Sequence, residues 1–290
     1  MTKLRRAVKV VEGQATSDGA GVHLKRVIGN QQLDQLDPFL LLDEFRSDDP
    51  NDYLAGFPEH PHRGFETVTY MLAGSMEHRD HTGNSGRLGP GSVQWMTAGR
   101  GIVHSEMPRQ EDGLMWGFQL WVNLPASEKM CEPRYQEFSP QQIPEFTGGD
   151  GVRVRVIAGE SGGVRGAVTG IFTQPLYLEV ALPAGGRFEQ AVPSGHNAFV
   201  YAFEGGGEIL EEAGRPGAAL SRGQLAVTGE GDAIAVVAGS LGLRLLLLAA
   251  RPLGEPVERL GPFVMNTRAQ LMQAVRDFQD GTLTSPGPGR

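Results

Sequence analysis

The chain has 290 residues, a formal net charge of −8 and a single cysteine. This length is typical of one large domain or of two domains with complete hydrophobic cores. One cysteine cannot form an internal disulfide, and the negative charge excludes an overall positive field that would attract nucleic acid or an anionic membrane. The longest apolar runs are far shorter than a membrane-spanning helix, and the start of the chain lacks a secretory signal pattern, so we expect a cytoplasmic protein.

The distribution of residue types along the chain favours β-structure. The 41 glycines and 19 prolines are spread over its whole length, which indicates frequent turns. Short runs rich in β-branched and aromatic residues predict strands at residues 66–72, 93–96, 152–156 and 176–180. Strands at this spacing predict an all-β fold made of antiparallel sandwiches or barrels.

One short helix is predicted near the end of the chain. Thr267 is placed to cap its start, with Gln270 three residues further on, and Gly281 is placed to end it. Its apolar stripe comprises Leu271, Val275 and Phe278. We expect this helix to cover a face or an edge of a sheet.

Two segments of the chain resemble each other. The pattern around Tyr70 and Gly74 recurs around Tyr201 and Gly205, 131 residues later, and the turns that follow agree at an offset of 132. This internal repeat predicts two related β-barrels. A proline-rich stretch over residues 125–151 connects them, so we expect an N-terminal domain of residues 1–135 and a C-terminal domain of residues 136–290 that includes the helix.

Candidate metal ligands occur in the first copy of the repeat. His60 and His62 lie two positions apart, so both imidazoles point to the same side of a strand. His104 and Glu106 repeat this arrangement 42 residues after His62. Two neighbouring strands could direct all four groups at one point. Three imidazoles and a carboxylate suit a first-row divalent metal with open positions, and the lack of paired cysteines disfavours structural zinc. We expect one Fe(II) per chain, although other divalent first-row metals fit as well.

The second copy of the repeat has no ligands at the positions that correspond by offset. These positions hold Ala191, Pro193, Val236 and Ala238. None of these side chains binds a metal, so the C-terminal barrel is expected to be metal-free. The remaining histidines have no comparable partner spacing and are expected to be surface or hydrogen-bonded residues: His23, His78, His81 and His196.

Three longer motifs carry a family resemblance. They read LDPFLLLDEF at residues 36–45, FPEHPHRGFETVTY at residues 57–70 and PGSVQWMTAGRGIVHSE at residues 90–106, and GPFVMNT follows at residues 261–267. These motifs resemble the pirin family of the cupin superfamily. The resemblance implies a bicupin, that is, two cupin-type antiparallel β-barrels, with one non-haem iron in the N-terminal barrel. By position, it implies the same ligands as the spacing does: His60, His62, His104 and Glu106.

The resemblance also implies a function. Several members of the family cleave flavonols such as quercetin with O2, and eukaryotic relatives are described as iron-dependent transcriptional coregulators. We therefore expect a non-haem Fe(II) dioxygenase that acts on a flavonol-like substrate. The alternative is a metal-dependent regulator that binds a protein partner. A third interpretation, a metal-free cupin that binds a sugar or a small acid, requires the two ligand pairs to be coincidental. We expect no direct nucleic-acid partner and no membrane partner.

Glu66 competes with Glu106 for the acidic role. It lies four residues after His62, so strand parity points it inward, and cupins outside the pirin family often take their carboxylate ligand from this region. The pirin pattern favours Glu106 as the ligand. Either carboxylate is a candidate general base for the flavonol hydroxyl. The predicted pocket lining, which could equally be core, is Phe57, Phe65, Met96 and Met115.

Overall fold

The computed structural model describes residues 2–211 and 217–285. Within these residues the fold is all-β with one α-helix, as predicted. The elements are, in chain order, β1 (Ala7–Glu12), β2 (Gln14–Asp18), β3 (Val22–Ile28), β4 (Phe39–Ser47), β5 (Phe57–His62), β6 (Phe65–Ala73), β7 (Met76–Asp80), β8 (Ser85–Leu88), β9 (Val93–Thr97), β10 (Ile102–Pro108), β11 (Met115–Asn123), β12 (Arg134–Phe138), β13 (Glu145–Thr147), β14 (Arg153–Ala158), β15 (Glu160–Ser161), β16 (Val164–Arg165), β17 (Leu176–Leu182), β18 (Arg187–Ala191), β19 (Asn197–Ile209), β20 (Ala218–Ser221), β21 (Gln224–Thr228), β22 (Ala233–Ala250), β23 (Glu258–Leu260), β24 (Phe263–Met265) and α1 (Arg268–Gln279). Short 3₁₀ turns lie at Pro50–Asp52, Pro140–Gln142 and Gly149–Gly151.

The chain forms two compact units. One, which we call the histidine unit, comprises residues 15–29, residues 39–140 and the described part of the chain from residue 253 onward. The second unit comprises residues 2–14, residues 30–38 and the described part of residues 141–252.

The histidine unit is a sandwich of two antiparallel sheets. Its seven-stranded sheet has the order β12-β9-β6-β11-β4-β3-β2, and its four-stranded sheet has the order β5-β10-β7-β8. Buried side chains from both sheets pack together, among them Leu24, Phe45 and Met71 from the larger sheet and Met76 and Leu88 from the smaller one. The two sheets are hydrogen-bonded separately, so this half is a jelly roll of the sandwich type, one of the two forms that the strand spacing predicted.

The second unit is built on a nine-stranded antiparallel sheet. The long strands β19 and β22 pair in its centre, and β1, β13, β14, β17, β18, β20 and β21 complete it. Its core is apolar and rich in valine and leucine. Four positions of this unit correspond to the candidate ligands by the repeat offset. Val236 and Ala238 are buried in the core, whereas Ala191 and Pro193 are exposed.

The unit boundaries differ from the expected division into residues 1–135 and 136–290. Strand β1 pairs with β21 and belongs to the second unit. In the opposite direction, β24 forms a bridge from Phe263 to Arg63, so the C-terminal segment and its helix belong to the histidine unit. A repeat locates the two copies in the sequence, but strand pairing between residues distant in the sequence decides where the flanking segments belong.

Helix α1 begins as predicted. Thr267 and Gln270 form a reciprocal capping box, and Gly281 follows the helix with a φ of +70°. Its buried face differs from the predicted stripe, because Leu271 and Ala274 are buried while Phe278 is 43% exposed. Leu271 and Ala274 pack against β24, so the helix covers this small hairpin. Among the described residues, no helix has both the length and the apolar character that crossing a membrane requires.

Candidate metal centre

The pairing of β5 with β10 brings the predicted histidines together. These strands are antiparallel, and their register places His104 opposite His60 and Ile102 opposite His62. Because side chains alternate along a strand, His60 and His62 share one face of the sheet. His104 lies directly across from His60 and diagonally across from His62, so all three imidazoles meet at one place.

The three imidazoles form a tight cluster. The Nε2 atoms of His60 and His62 are 3.0 Å apart, and one candidate donor atom from each of His60, His62 and His104 lies within 4.8 Å of the others. The ring centroids are 4.5 to 5.1 Å apart. Within the part of the chain that the structure describes, this is the cluster of histidine, cysteine and acidic groups compact enough to hold a metal ion.

The electrostatics of this cluster favour neutral imidazoles at His62 and His104. Burial lowers the pKa of His62 and of His104 well below the usual histidine value, and the neighbouring histidines lower both further. The Nδ1 atom of His60 lies 2.8 Å from the carbonyl oxygen of Pro58, which can only accept a hydrogen bond, so Nδ1 is the donor in this contact and Nε2 faces His62. A neutral imidazole with an available lone pair is the form that binds a metal.

Unpaired nitrogens support the same interpretation. Both ring nitrogens of His104 are buried and have no hydrogen-bond partner among the described residues. Buried polar atoms are normally paired, because an unpaired one costs about 1–3 kcal/mol. A divalent cation would satisfy such nitrogens, so the residues present fit a metal.

Glu106 lies beside the histidines but outside their cluster. It is 3% exposed, and a register shift between His104 and Glu106 places it opposite Phe57. Its Oε1 lies 2.8 Å from the Thr69 hydroxyl, and its Oε2 accepts a hydrogen bond of 3.1 Å from the Gln119 amide. Since Thr69 is on β6 and Gln119 is on β11, this carboxylate links the small sheet to the large one.

Glu66 occupies a different place. It lies on β6 and is fully buried, as strand parity predicted, and its Oε1 accepts a hydrogen bond of 2.7 Å from the Thr97 hydroxyl. Burial raises the pKa of Glu66 to about 7. Unlike Glu106, it does not line the cavity that His60 and His62 line.

His60 and His62 open into a cavity of about 600 Å³. Such a volume is typical of a site for a small organic molecule. The apolar part of its wall comprises Leu24, Leu41, Phe45, Phe57 and Trp121. The polar part includes His60, His62, Glu106 and Gln119, together with Asp18, Arg26, Asp43, Glu59 and Arg259.

Of the four residues predicted to line the pocket, Phe57 alone is among the lining residues of this cavity. Phe65, Met96 and Met115 are buried in separate hydrophobic clusters of the core. Sequence reasoning also missed Trp121, whose ring lies 5.4 Å from that of His62 in an edge-on arrangement. Parity shows that these side chains point into the sandwich, but it does not distinguish a packed interior from a cavity wall.

The C-terminal segment contacts residues next to both ligand-bearing strands, β5 and β10. Arg63 follows His62, and its guanidinium donates to Asp277 of α1 at 2.5 Å, to the Leu283 carbonyl at 3.0 Å and to the Arg100 carbonyl. Gly64 lies so close to this segment that a Cβ atom there would be 2.0 Å from the Val264 carbonyl oxygen. Sequence reasoning did not find the contacts of Arg63 and Gly64 with the C-terminal segment, because these residues are about 200 positions away from it in the sequence.

The other histidines lie outside the cluster. His23 pairs with Asp52 at 2.7 Å, and His78 pairs with Glu137 at 2.8 Å, as expected of hydrogen-bonded residues. His81 Nδ1 accepts a bond from the Val103 amide at 3.3 Å. His196 is 8% exposed and lies in the second unit.

A jelly-roll unit with a histidine cluster inside its sandwich, together with a second all-β unit, defines a cupin-type protein with a candidate metal centre. The family model described as Pirin matches residues 21–122, and the model described as Pirin C-terminal cupin domain matches residues 177–284. The chain belongs to the pirin family.

Relatives agree over almost the full length. A pirin-like protein of Caulobacter vibrioides is 52% identical over 279 residues, which cover 96% of this chain and 99% of the relative. Pirin of Homo sapiens is 45% identical over 266 residues, which cover 91% of this chain and 89% of the relative. A crystal structure of quercetin 2,3-dioxygenase from Acinetobacter baumannii superposes with a TM-score of 0.88 at 33% identity, covering 97% of this chain and 98% of that one.

Proposed function

We propose that this protein is a metal-dependent dioxygenase that opens the central ring of a flavonol-like substrate with O2. The observation that carries the proposal is the cluster of three imidazoles, those of His62 and His104 buried, beside a cavity with an apolar wall. The similarity to the Acinetobacter baumannii structure, whose name is quercetin 2,3-dioxygenase, supports this choice of reaction.

His60, His62 and His104 are the proposed metal ligands, and Glu106 is the proposed fourth. Glu106 shares the cavity with His60 and His62 and lies two residues after His104 on the same strand. Three nitrogens and one oxygen suit Fe(II), and other divalent first-row metals fit the same donors. When bound, such a metal supplies open positions for the substrate's oxygens and the redox chemistry with O2.

Glu106 is the proposed general base. A flavonol carries an acidic 3-hydroxyl next to its 4-carbonyl, and an oxygen of the Glu106 carboxylate can accept the hydroxyl proton. The contacts with Thr69 and Gln119 hold this carboxylate in one orientation at the cavity wall. A positioned base needs no reorganisation when the proton moves.

The apolar wall orients the substrate. Phe45, Phe57 and Trp121 offer ring faces and edges to a flat aromatic molecule, and Leu41 fills the wall between the strands. Packing on these groups excludes water from the reacting atoms. Glu66, by contrast, is fully buried and absent from this wall, so we assign the proton transfer to Glu106 and not to Glu66.

Anaerobic titration of Fe(II)-loaded protein with quercetin tests the proposal. We expect a shift of the flavonol absorbance on binding, followed by loss of the flavonol spectrum when oxygen enters. The metal content of the same sample is measured in parallel. Binding without turnover would contradict the dioxygenase and favour the alternative function, a metal-dependent regulator that binds a protein partner.

A further inference from the structure

A ladder of three charged side chains forms the polar wall of the cavity. Arg26 donates from Nε to Asp43 at 2.9 Å and from Nη2 to Asp43 at 2.7 Å, and the same Nη2 is 2.7 Å from Asp18. Exposure rises along this ladder. The side chain of Asp43 is 5% exposed, that of Arg26 is 20% exposed and that of Asp18 is 51% exposed. Asp43 is therefore deep in the wall and Asp18 is at its mouth.

The turn that carries Asp18 is fixed against the cavity. The Ala20 amide donates to the Gly56 carbonyl at 3.0 Å, and a Cβ atom on Gly19 would lie 2.5 Å from the ring of Phe57. Asp18 and His60 both line this cavity. A ligand that fills the cavity therefore lies within reach of both the histidines and this carboxylate.

The ladder presents hydrogen-bond acceptors to a ligand. The guanidinium of Arg26 is engaged by Asp43 and Asp18, and that of Arg259 lies 4.7 Å over the ring of Trp121. The Asp18 carboxylate accepts one bond from Arg26 and one from the Gly19 amide, and each carboxylate oxygen can accept a second bond. Glu59 adds another carboxylate to the lining.

We propose that Asp18 is a specificity residue that accepts a hydrogen bond from a phenolic hydroxyl of the substrate, so that the site selects neutral, polyhydroxylated aromatics over anionic ones. This inference rests on the proposed function and deepens it. A hydroxyl donor complements a carboxylate, whereas a sulfonate or carboxylate on the ligand meets Asp18 and Glu59 with like charge. A flavonol without further hydroxyls forms no bond with Asp18 and relies on the apolar wall alone.

Equilibrium binding without oxygen tests this inference separately from turnover. The Fe(II)-loaded protein is titrated anaerobically with three probes: quercetin, 3-hydroxyflavone and quercetin 5′-sulfonate. We expect the wild type to bind quercetin most tightly and the sulfonate less tightly. Asp18→Ala should weaken the binding of quercetin by about tenfold or more, because it removes a hydrogen bond to a charged group. The affinity for 3-hydroxyflavone should stay within about twofold of the wild-type value.

A conservative variant separates specificity from structure. Asp18→Asn keeps the side-chain size and an acceptor oxygen but removes the negative charge, so its affinity for the sulfonate should rise. A structural defect would weaken binding of all three probes. Asp34→Asn is the matched control, because Asp34 is exposed and is not among the residues that line this cavity.

The outcomes distinguish the two ideas. Equal effects of Asp18→Ala on quercetin and 3-hydroxyflavone, or no gain for the sulfonate in Asp18→Asn, would overturn the role of Asp18 even if turnover occurs in air. Selective effects on binding without any turnover in air would keep this role and overturn the dioxygenase. If none of the probes binds, both proposals fail.

Discussion

Arg63 and Asp277 are 214 residues apart in the sequence and form an ion pair of 2.5 Å. Arg63 is adjacent to His62, and Asp277 lies on the C-terminal helix α1. The Arg63 side chain is 5% exposed and that of Asp277 is 23% exposed, so water screens this pair only partly. The pair links helix α1 to the residue that directly follows β5, the strand that carries two of the proposed ligands.

Asp277→Asn should therefore lower both the stability of the fold and the retention of the metal. Loss of a charged partner from a largely buried guanidinium should lower the free energy of unfolding by about 2 kcal/mol. We also expect faster loss of Fe(II) to a chelator, because β5 is held less firmly. Thermal unfolding and chelator competition measure the two effects. Asp280→Asn, an exposed position that caps the same helix through its backbone, serves as the control, and equal metal loss in both variants would contradict the coupling.

His104→Ala should greatly reduce metal retention. It removes one of three clustered imidazoles, and loss of one donor leaves the remaining ligands with too few bonds to hold the ion. Elemental analysis after dialysis measures the metal content. His196→Ala is the matched control, since His196 is also buried but lies in the second unit, and it should retain a wild-type metal content. Similar losses in the two variants would show that the cluster is not the metal site.

Glu106→Gln should slow turnover more than it weakens substrate binding. The amide keeps the size of the side chain but accepts no proton near neutral pH, and general-base catalysis contributes about 10²–10⁴-fold to a rate. The measurement is single-turnover decay of the bound flavonol after oxygen enters, in protein loaded with excess Fe(II). Glu66→Gln under the same loading should have the milder effect, because Glu66 does not line the cavity. Wild-type decay in Glu106→Gln beside an inactive Glu66→Gln would reverse the assignment.

Glu66 should make the stability depend on pH. Burial raises its pKa to about 7 from an ordinary value of 4.5, so the folded state binds a proton that the unfolded state has released between these two values. Stability should therefore fall as the pH rises from about 4.5 to 7, by up to about 3 kcal/mol. Glu66→Gln, which is neutral at every pH, should remove this loss.

Chemical denaturation at several pH values measures this effect. The stability difference between Glu66→Gln and the wild type should grow in favour of the variant as the pH rises through the window. Glu111→Gln, a substitution at an exposed glutamate, should follow the wild-type curve. Parallel curves for the wild type and Glu66→Gln would show that Glu66 is ionised in the folded state.

The sequence alone determined the features that depend on neighbouring residues. The spacing of His60 and His62 places both imidazoles on one face, because side chains alternate along any strand. Thr267 and Gln270 specify the start of α1, since the capping box lies within a single turn. The motifs around the histidines were likewise sufficient to identify the pirin family, which the family models confirm.

Tertiary structure decided the features that join distant parts of the chain. The register of β10 on β5 set His104 opposite His60, and pairing across the sandwich gave Glu106 its contacts with Thr69 and Gln119. Strand parity points both Glu66 and Glu106 inward, but the packing of the two sheets decides which of them meets a cavity. Neither the ion pair of Arg63 with Asp277 nor the ladder at Asp18 follows from local patterns, because each depends on where separate segments fold back onto the same sandwich.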